Sequence, residues 1–329
     1  MAAASLELAK RARTEIPAGL RKFLLKLMNA KSTTVTVEGG ESFDYLNIDE
    51  PWLGLSHPMP LMIRRCYGEI IASVRDFMEQ GPLRPKGVVV TGTPGTGKTS
   101  WGVYALWKLK DTNPVLFIYK QEPPVLLVSE ACIGSVREAG IDSAGVHFPD
   151  VACQSRLLDV PNLVRIWDPQ ARATHATACF TVVVSSPNEA KLKDFVKGVG
   201  NATVQCLYMD LWTLAELQAC ARLFRMHNAT SSPWSDDEVA ERFQLFGGAA
   251  RPVLQDKVWN DRLEEDLGKA KIRGVGQAVL SAPNETIKGD LSALLVHRSP
   301  VLSNNRASAV SIYASEYVKE VLGRSVRRA

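Results

Sequence analysis

Gly92-Thr-Pro-Gly-Thr-Gly97-Lys98-Thr99 decides the fold. The octet fits G-x-x-x-x-G-K-[ST], follows the apolar run Val88–Val90 directly, and leads straight into the helical stretch Ser100–Lys110. That strand–loop–helix context separates a phosphate-binding loop from a glycine-rich turn that merely matches the pattern. Gly92, Thr93, Pro94, Gly95, Thr96 and Gly97, with Lys98, Thr99 and Ser100 at the helix start, therefore form the candidate cradle. Glycines let the chain wrap so that backbone N–H groups converge on phosphate at a helix N-terminus. Lys98 is expected to set its ammonium against the β- and γ-phosphate oxygens. Thr99 is expected to ligate Mg²⁺ through its hydroxyl, because a hard cation takes oxygen donors.

Such a site needs a carboxylate on the far side of the metal. Leu163-Val-Arg-Ile-Trp-Asp168 is an apolar strand ending in an acid, and Glu130, after Val125–Val128, is the competing acid. Asp168 is preferred because its strand falls later and leaves room for an intervening strand. Pro169 and Gln170 follow it, where many ATPases carry a Glu that polarises water, so binding is a safer expectation than fast hydrolysis. The strand Phe180–Val184 runs into Ser185-Ser186-Pro187-Asn188. Ser185 there is a candidate sensor of the γ-phosphate, and Ser186 with Pro187 also reads as a plain helix cap. Gly247-Gly-Ala-Ala-Arg251 puts an arginine just after a helix stop, where it either swings onto the γ-phosphate or stands in solvent.

Around the loop, short apolar runs alternate with helical patterns: Gly87–Val90, Val115–Tyr119, Val125–Val128, Leu163–Trp167, Phe180–Ser185 and Val204–Leu207. Most lack period-2 alternation, which is how strands buried on both faces read. The alternation predicts an α/β sandwich with a parallel central sheet. A helix is expected over 61–78, where Ile63, Tyr67, Ile70, Ile71 and Val74 recur at helical spacing. After Met209 the strand pattern ceases. Thr213-Leu-Ala-Glu216 and Ser235-Asp-Asp-Glu238 are capping boxes that open helices. The expected division is a basic arm and irregular lead-in at 1–60, a core at 61–209, a helical unit at 210–262 and an extension at 263–329.

Composition excludes several classes. With 329 residues, 46% hydrophobic and 22% charged, the chain buries a core without metal or disulfide staples. The net charge is only +4, and the basic excess sits at the ends. Residues 1–31 hold seven basic side chains against Glu7 and Glu15, within a possible amphipathic helix bearing Leu20, Leu24 and Leu27 on one face; a solvated arm is the expected state. A uniformly basic, nucleic-acid-coating surface is excluded, and any nucleic-acid contact rests on the two ends. The six cysteines show no Cys-x-x-Cys pair and read as buried thiols. No apolar run has the length of a membrane span or a signal peptide, so the chain reads as soluble.

Together these residues resemble the NTPase region shared by Crinkler-type effectors and retrotransposon hot spot proteins. The match runs through Arg64-Arg-Cys-Tyr67, the octet at 92–99, Ser185-Ser-Pro187, Leu211-Trp-Thr-Leu-Ala-Glu216 and Arg242-Phe…Phe246-Gly-Gly-Ala-Ala-Arg251. It continues in Leu295-Val-His297 and Ala314-Ser-Glu-Tyr-Val318, spanning roughly residues 60 to 320. The resemblance implies an additional-strand (ASCE/AAA+-like) P-loop NTPase core with a C-terminal helical lid, ATP as nucleotide, and nucleotide roles for Lys98, Thr99, Asp168 and Arg251. It further implies a secreted protein acting in a host nucleus, with a host protein or nucleic acid as partner. The family's N-terminal translocation signature is not seen, and these residues leave no room for its nuclease-like domain. Glu264, Glu265 and Lys269 read as a solvated helix face. The chain is thus expected to be an ATP-driven switch, a non-hydrolysing nucleotide-bound module, or a fragment of a longer effector.

Overall fold

Hydrophobic residues three and four apart wind residues 18–29 into a helix with one apolar stripe. In the computed structural model, residues 18–36, 41–51, 58–80, 87–119, 122–160, 162–168, 179–185, 204–227, 234–255, 258–272, 294–302 and 305–326 are described. Helix α1 (Ala18–Asn29) buries Phe23, Leu24 and Leu27 against Leu46 and Ile48, so it is docked on the core and is not the solvated arm expected. Its Lys22 meets Glu50 at 2.5 Å and its Lys26 meets Asp49 at 3.9 Å, which pairs part of the basic charge. The lead-in read as irregular contains an antiparallel sheet of β1 (Ser32–Thr36), β2 (Ser42–Leu46) and β3 (Leu61–Ile63). Strand β1 is exposed along most of its length, so its composition carries no inside–outside alternation to read. Leu61–Ile63, expected as the first turn of a helix, pairs with β2 instead, and α2 (Arg65–Glu79) begins after it.

The six apolar runs all become strands of one sheet. In chain order the region holds β4 (Gly87–Thr91), α3 (Lys98–Leu109), β5 (Val115–Ile118), β6 (Val125–Val128), α4 (Ile133–Val136), β7 (Gly145–His147), α5 (Val151–Leu157), β8 (Val164–Trp167), β9 (Phe180–Val184) and β10 (Val204–Tyr208), with β7 a seventh strand outside those runs. The order across the sheet is β10-β4-β9-β8-β5-β6-β7. Strands β10, β4, β9, β8 and β5 are parallel, whereas β6 and β7 are antiparallel to their neighbours, so the sheet is mixed where a parallel one was expected. Val88 and Val90 pack on one face with Trp101 and Leu106; Val89 packs on the other with Leu126, Leu157 and Val183. Both faces being covered, the strands carry no polar alternation. Strand β9 stands between the loop strand β4 and the acid-bearing β8. This inserted strand, with a glycine loop after β4, defines the additional-strand P-loop NTPase fold.

The C-terminal part contains α6 (Leu214–His227), α7 (Asp236–Phe246), α8 (Ala250–Leu254) and α9 (Val258–Ile272), the hairpin β11 (Val296–Leu302)–β12 (Asn305–Tyr313), and α10 (Glu316–Val326). Both capping boxes form: Thr213 N donates to Glu216 at 2.9 Å, and Glu216 N to Thr213 Oγ1 at 3.1 Å, with the same exchange between Ser235 and Glu238. Two expectations give way. Helix α9 runs through residue 262, and strands do return after Met209, as the β11–β12 hairpin. Pro300 lies inside β11, in a polar Val-His-Arg-Ser-Pro run that does not read as a strand, since proline cannot donate to a ladder. Leu294, Leu295, Ala314, Val318 and Leu322 join Leu217, Val239, Phe246 and Leu263 in one apolar cluster, so this segment is built into the helical unit's core. Five of the six cysteines are buried and Cys206 is partly so.

Candidate functional site

Parallel strands deliver their C-terminal ends to one edge of the sheet, and the residues singled out by sequence arrive there together. Ser185 N donates to Val90 O at 3.0 Å, which places Ser185 beside the last residues of β4. Asp168 N donates to Ile118 O at 2.9 Å at the end of β8. Thr99 and Asp168 line one small cavity with Gly102, Phe117, Tyr119, Ile166 and Val184. Strand direction also disposes of the competing acid. Strand β6 runs against β5, with Leu127 opposite Val115, so Glu130 leaves the sheet at the opposite edge. The Ser129 hydroxyl accordingly reaches Asp111 O, in the turn that leads into β5.

The loop itself is held from three sides. Gly97 has φ +91°, and a side chain there would meet the Tyr67 hydroxyl at 2.5 Å. Only glycine takes that backbone without strain and admits the tyrosine, whose hydroxyl donates to Gly97 O at 3.0 Å. From the helical unit, Ala250 N donates to Gly95 O at 3.0 Å, so the start of α8 rests on the loop. From the hairpin, Arg298 N donates to Thr93 Oγ1 at 2.8 Å, and the same hydroxyl donates to Arg298 O at 3.3 Å. From below, the buried Arg64 donates to Thr96 O at 2.9 Å.

Lys98 is 9% exposed, and its ammonium donates to Gly92 O at 2.8 Å and Thr93 O at 2.7 Å. Burial, and then the nearby Arg251 charge, push its pKa down to about 7. Arg251 lies at the loop: a side chain on Gly95 would touch Arg251 N at 3.2 Å and Cβ at 3.3 Å. Among the described residues no carboxylate pairs with Lys98. Two cations thus converge on a glycine loop at the N-terminus of α3, an arrangement that favours an anion. Thr99 and Asp168 contribute a hydroxyl and a carboxylate oxygen, the donor types a small divalent cation takes.

Several supporting residues were not singled out as functional from sequence. Arg242 is buried and donates to Val253 O at 2.8 Å and Gln255 O at 2.6 Å, anchoring the last carbonyls of the short α8 that carries Arg251. Its ring contact with Trp234 is at 4.3 Å. Arg64 did carry a readable signal, because an arginine at the mouth of a helix opposes the helix dipole and needs another reason to be there. Arg222 and Arg225 pair with Asp236 inside the helical unit. Glu264 and Glu265 are exposed on α9, as read. Pro169, Gln170, Ser186, Pro187 and Asn188 lie outside the described residues.

Thr93→Val removes the hydroxyl that occupies the free edge of β11 and leaves Arg298 N–H without that acceptor. The expected cost is about 1–2 kcal/mol. It should appear as faster proteolysis around 296–313 with little change in the sheet; an unchanged cleavage rate would mean the hairpin is held by other contacts.

The strand order and the loop therefore define a P-loop NTPase fold of the additional-strand, AAA+-like kind. Comparison with models of known protein families finds no match. Among curated proteins the chain is similar to Crinkler effector proteins 15 and 16 of Phytophthora infestans, each 29% identical over 217 residues, 62% of this chain and 31% of the relative. The chain thus spans about a third of the length of the curated relatives it matches. Among solved structures it is similar to the ORC2 protein of Aeropyrum pernix at 14% identity and a TM-score of 0.36, covering 81% of this chain and 95% of that one. Cdc6p of Pyrobaculum aerophilum follows at 12% identity and 0.35, covering 80% and 93%. The RuvB branch-migration motor of Thermotoga maritima matches at 14% and 0.32, covering 69% and 78%. The fold assignment rests on the strand order and not on these likenesses. No helix among the described residues is long and apolar enough to cross a membrane.

Proposed function

We propose that the chain is an ATP-binding, Mg²⁺-dependent nucleotide switch that hydrolyses slowly. The observation that carries this reading is the convergence of Lys98 and Arg251 on the 92–97 loop, beside a cavity shared by Thr99 and Asp168. The loop amides and the α3 N-terminus hold the phosphate tail. Lys98 turns from its own carbonyls to phosphate oxygens, which also relieves the cost of its burial. Thr99 and Asp168 hold the cation, which when bound neutralises charge on the phosphates. In this reading Ser185 orients water or reads the γ-phosphate, and Arg251 links that phosphate to the helical unit. Adenine over guanine is taken from the resemblance to Crinkler-type proteins.

Asp168→Ala tests the catalytic half. Phosphate release should fall by at least about 10²-fold with Mg-ATP still bound, because the metal loses its protein carboxylate. Unchanged release would remove Asp168 from the site. The sequence Asp168-Pro169-Gln170 favours a second reading, a nucleotide-bound module without turnover; tight binding with no release in the unmutated chain would select it. The relatives' names support an effector role, with secretion and action in a host nucleus as part of that proposal, and a host protein or nucleic acid as partner. Because the chain spans 31% of those relatives, it also reads as the nucleotide-binding piece of a longer effector. A thermal shift with Mg-ATP would separate a working piece from an inactive remnant.

A further inference from the structure

Arg64 stands where β3 gives way to α2, 2% exposed, and each of its guanidinium N–H groups has an acceptor. Nε and Nη2 donate to the two Glu216 oxygens at 3.0 and 2.8 Å. Nη2 donates also to Leu211 O at 2.7 Å, and Nη1 to Asp210 O at 3.1 Å and Thr96 O at 2.9 Å. The Trp212 ring covers the plane at 4.3 Å. One rigid fork therefore grips the phosphate loop, the connection from β10 and the first turn of α6 at once.

The grip extends to Arg251 by a short route. Residues 210 and 211 are held by Arg64, and the next residue, Trp212, donates its N–H to Gly248 O at 2.9 Å. Gly248 lies tight against this connection: a side chain on it would meet Leu211 Cβ and Trp212 O at 2.6 Å. Two residues later Ala250 N donates to Gly95 O at 3.0 Å, and Arg251 follows. The path runs from the loop at Thr96, through Arg64, the 210–212 connection and Gly248, back to the loop at Gly95. Arg64 closes this ring, and its length fixes how far α8 stands from the phosphates.

We propose that Arg64 is the positioning residue that sets Arg251 over the loop, and thereby lets the site distinguish a nucleoside triphosphate from a diphosphate. The proposal rests on the reading of residues 92–99 as a phosphate site. A lysine at 64 keeps the charge but carries its three donors on one nitrogen, which cannot span loop, connection and Glu216. Arg64 touches no phosphate in this scheme, so its effect passes through Arg251.

Titration calorimetry with Mg-ATP and Mg-ADP on the full chain, on Arg64→Lys, on Arg251→Ala and on the double variant tests it. The unmutated chain should prefer the triphosphate by at least about tenfold. Each single variant should lose most of that preference, and the double should lose no more than Arg251→Ala alone, because residues acting through one another are not additive. A purely structural role would weaken both nucleotides equally and leave the ratio unchanged, which would overturn the proposal; so would effects of the two variants that multiply. Should Arg64→Lys not fold, Glu216→Gln, which keeps an oxygen for the Thr213 cap, gives the same readout, and an unchanged ratio there is equally fatal. An unmutated chain that binds neither nucleotide would sink the phosphate-site reading itself, and the role of Arg64 with it. One that binds both equally would leave that reading standing and sink this one.

Discussion

Gly247→Ala is expected to destabilise the protein by about 4 kcal/mol or more, a large part of the stability of an ordinary domain. Gly247 ends α7 at φ +61° and ψ −149°, a backbone region that only glycine occupies without strain. An added Cβ would lie 1.8 Å from Ala314 O and 2.9 Å from Ala314 C, where no side chain can move aside because the obstacle is backbone. Ala314 cannot retreat cheaply either. Its N–H donates to Leu295 O at 2.9 Å, and the next residue, Ser315, donates its hydroxyl to Leu245 O at 2.8 Å. The hairpin and α10 would have to leave the helical unit and take Leu295, Val318 and Leu322 out of its core. Urea unfolding measures this directly. A midpoint like that of the unmutated protein would show that the chain does not cross the end of α7 as described.

Lys98→Ala is expected to raise the dissociation constant for Mg-ATP by at least about a hundredfold, the loss of charge-assisted bonds to two phosphates. The fold should survive. Lys98 is held to about 7 against an ordinary 10.5, so the folded protein disfavours its charge, and alanine removes that cost with two hydrogen bonds to loop carbonyls. The sign is definite. Below about pH 7 the lysine is protonated in folded and unfolded chains alike, and the full cost is present. Between about 7 and 10.5 the folded chain has released the proton while the unfolded chain keeps it, so this group lets stability rise with pH. Without nucleotide, that rise should be present in the unmutated protein and absent from the variant. Calorimetry for binding and thermal unfolding against pH check the two halves.

The sheet was legible because burial on both faces leaves its mark on composition: all six apolar runs proved to be strands, and the octet fell where strand meets helix. Asp168 was legible for a related reason, as an acid closing an apolar run. The direction of β6 was not, since a run such as Val125-Leu-Leu-Val128 says nothing about which way it lies, yet that direction is what separates Asp168 from Glu130. Strands β1, β2, β11 and β12 escaped because they are polar or carry a proline, and their pairing is set by partners elsewhere in the chain. Arg251 could be picked out by its place after a glycine pair. The task of Tyr67 and the second task of Thr93 could not, because each acts on a carbonyl or amide far away in sequence, 30 residues for Tyr67 and Gly97 and 205 for Thr93 and Arg298.

A crystal structure of the chain with Mg²⁺ and a non-hydrolysable ATP analogue tests the central claim most directly. The account predicts the triphosphate along the 92–99 loop, with Lys98 Nζ moved from Gly92 O and Thr93 O to within about 3 Å of phosphate oxygens. Thr99 and Asp168 should share the metal, and Arg251 should reach the terminal phosphate. Nucleotide bound elsewhere, or Lys98 still resting on its own carbonyls with the analogue in excess, would contradict it.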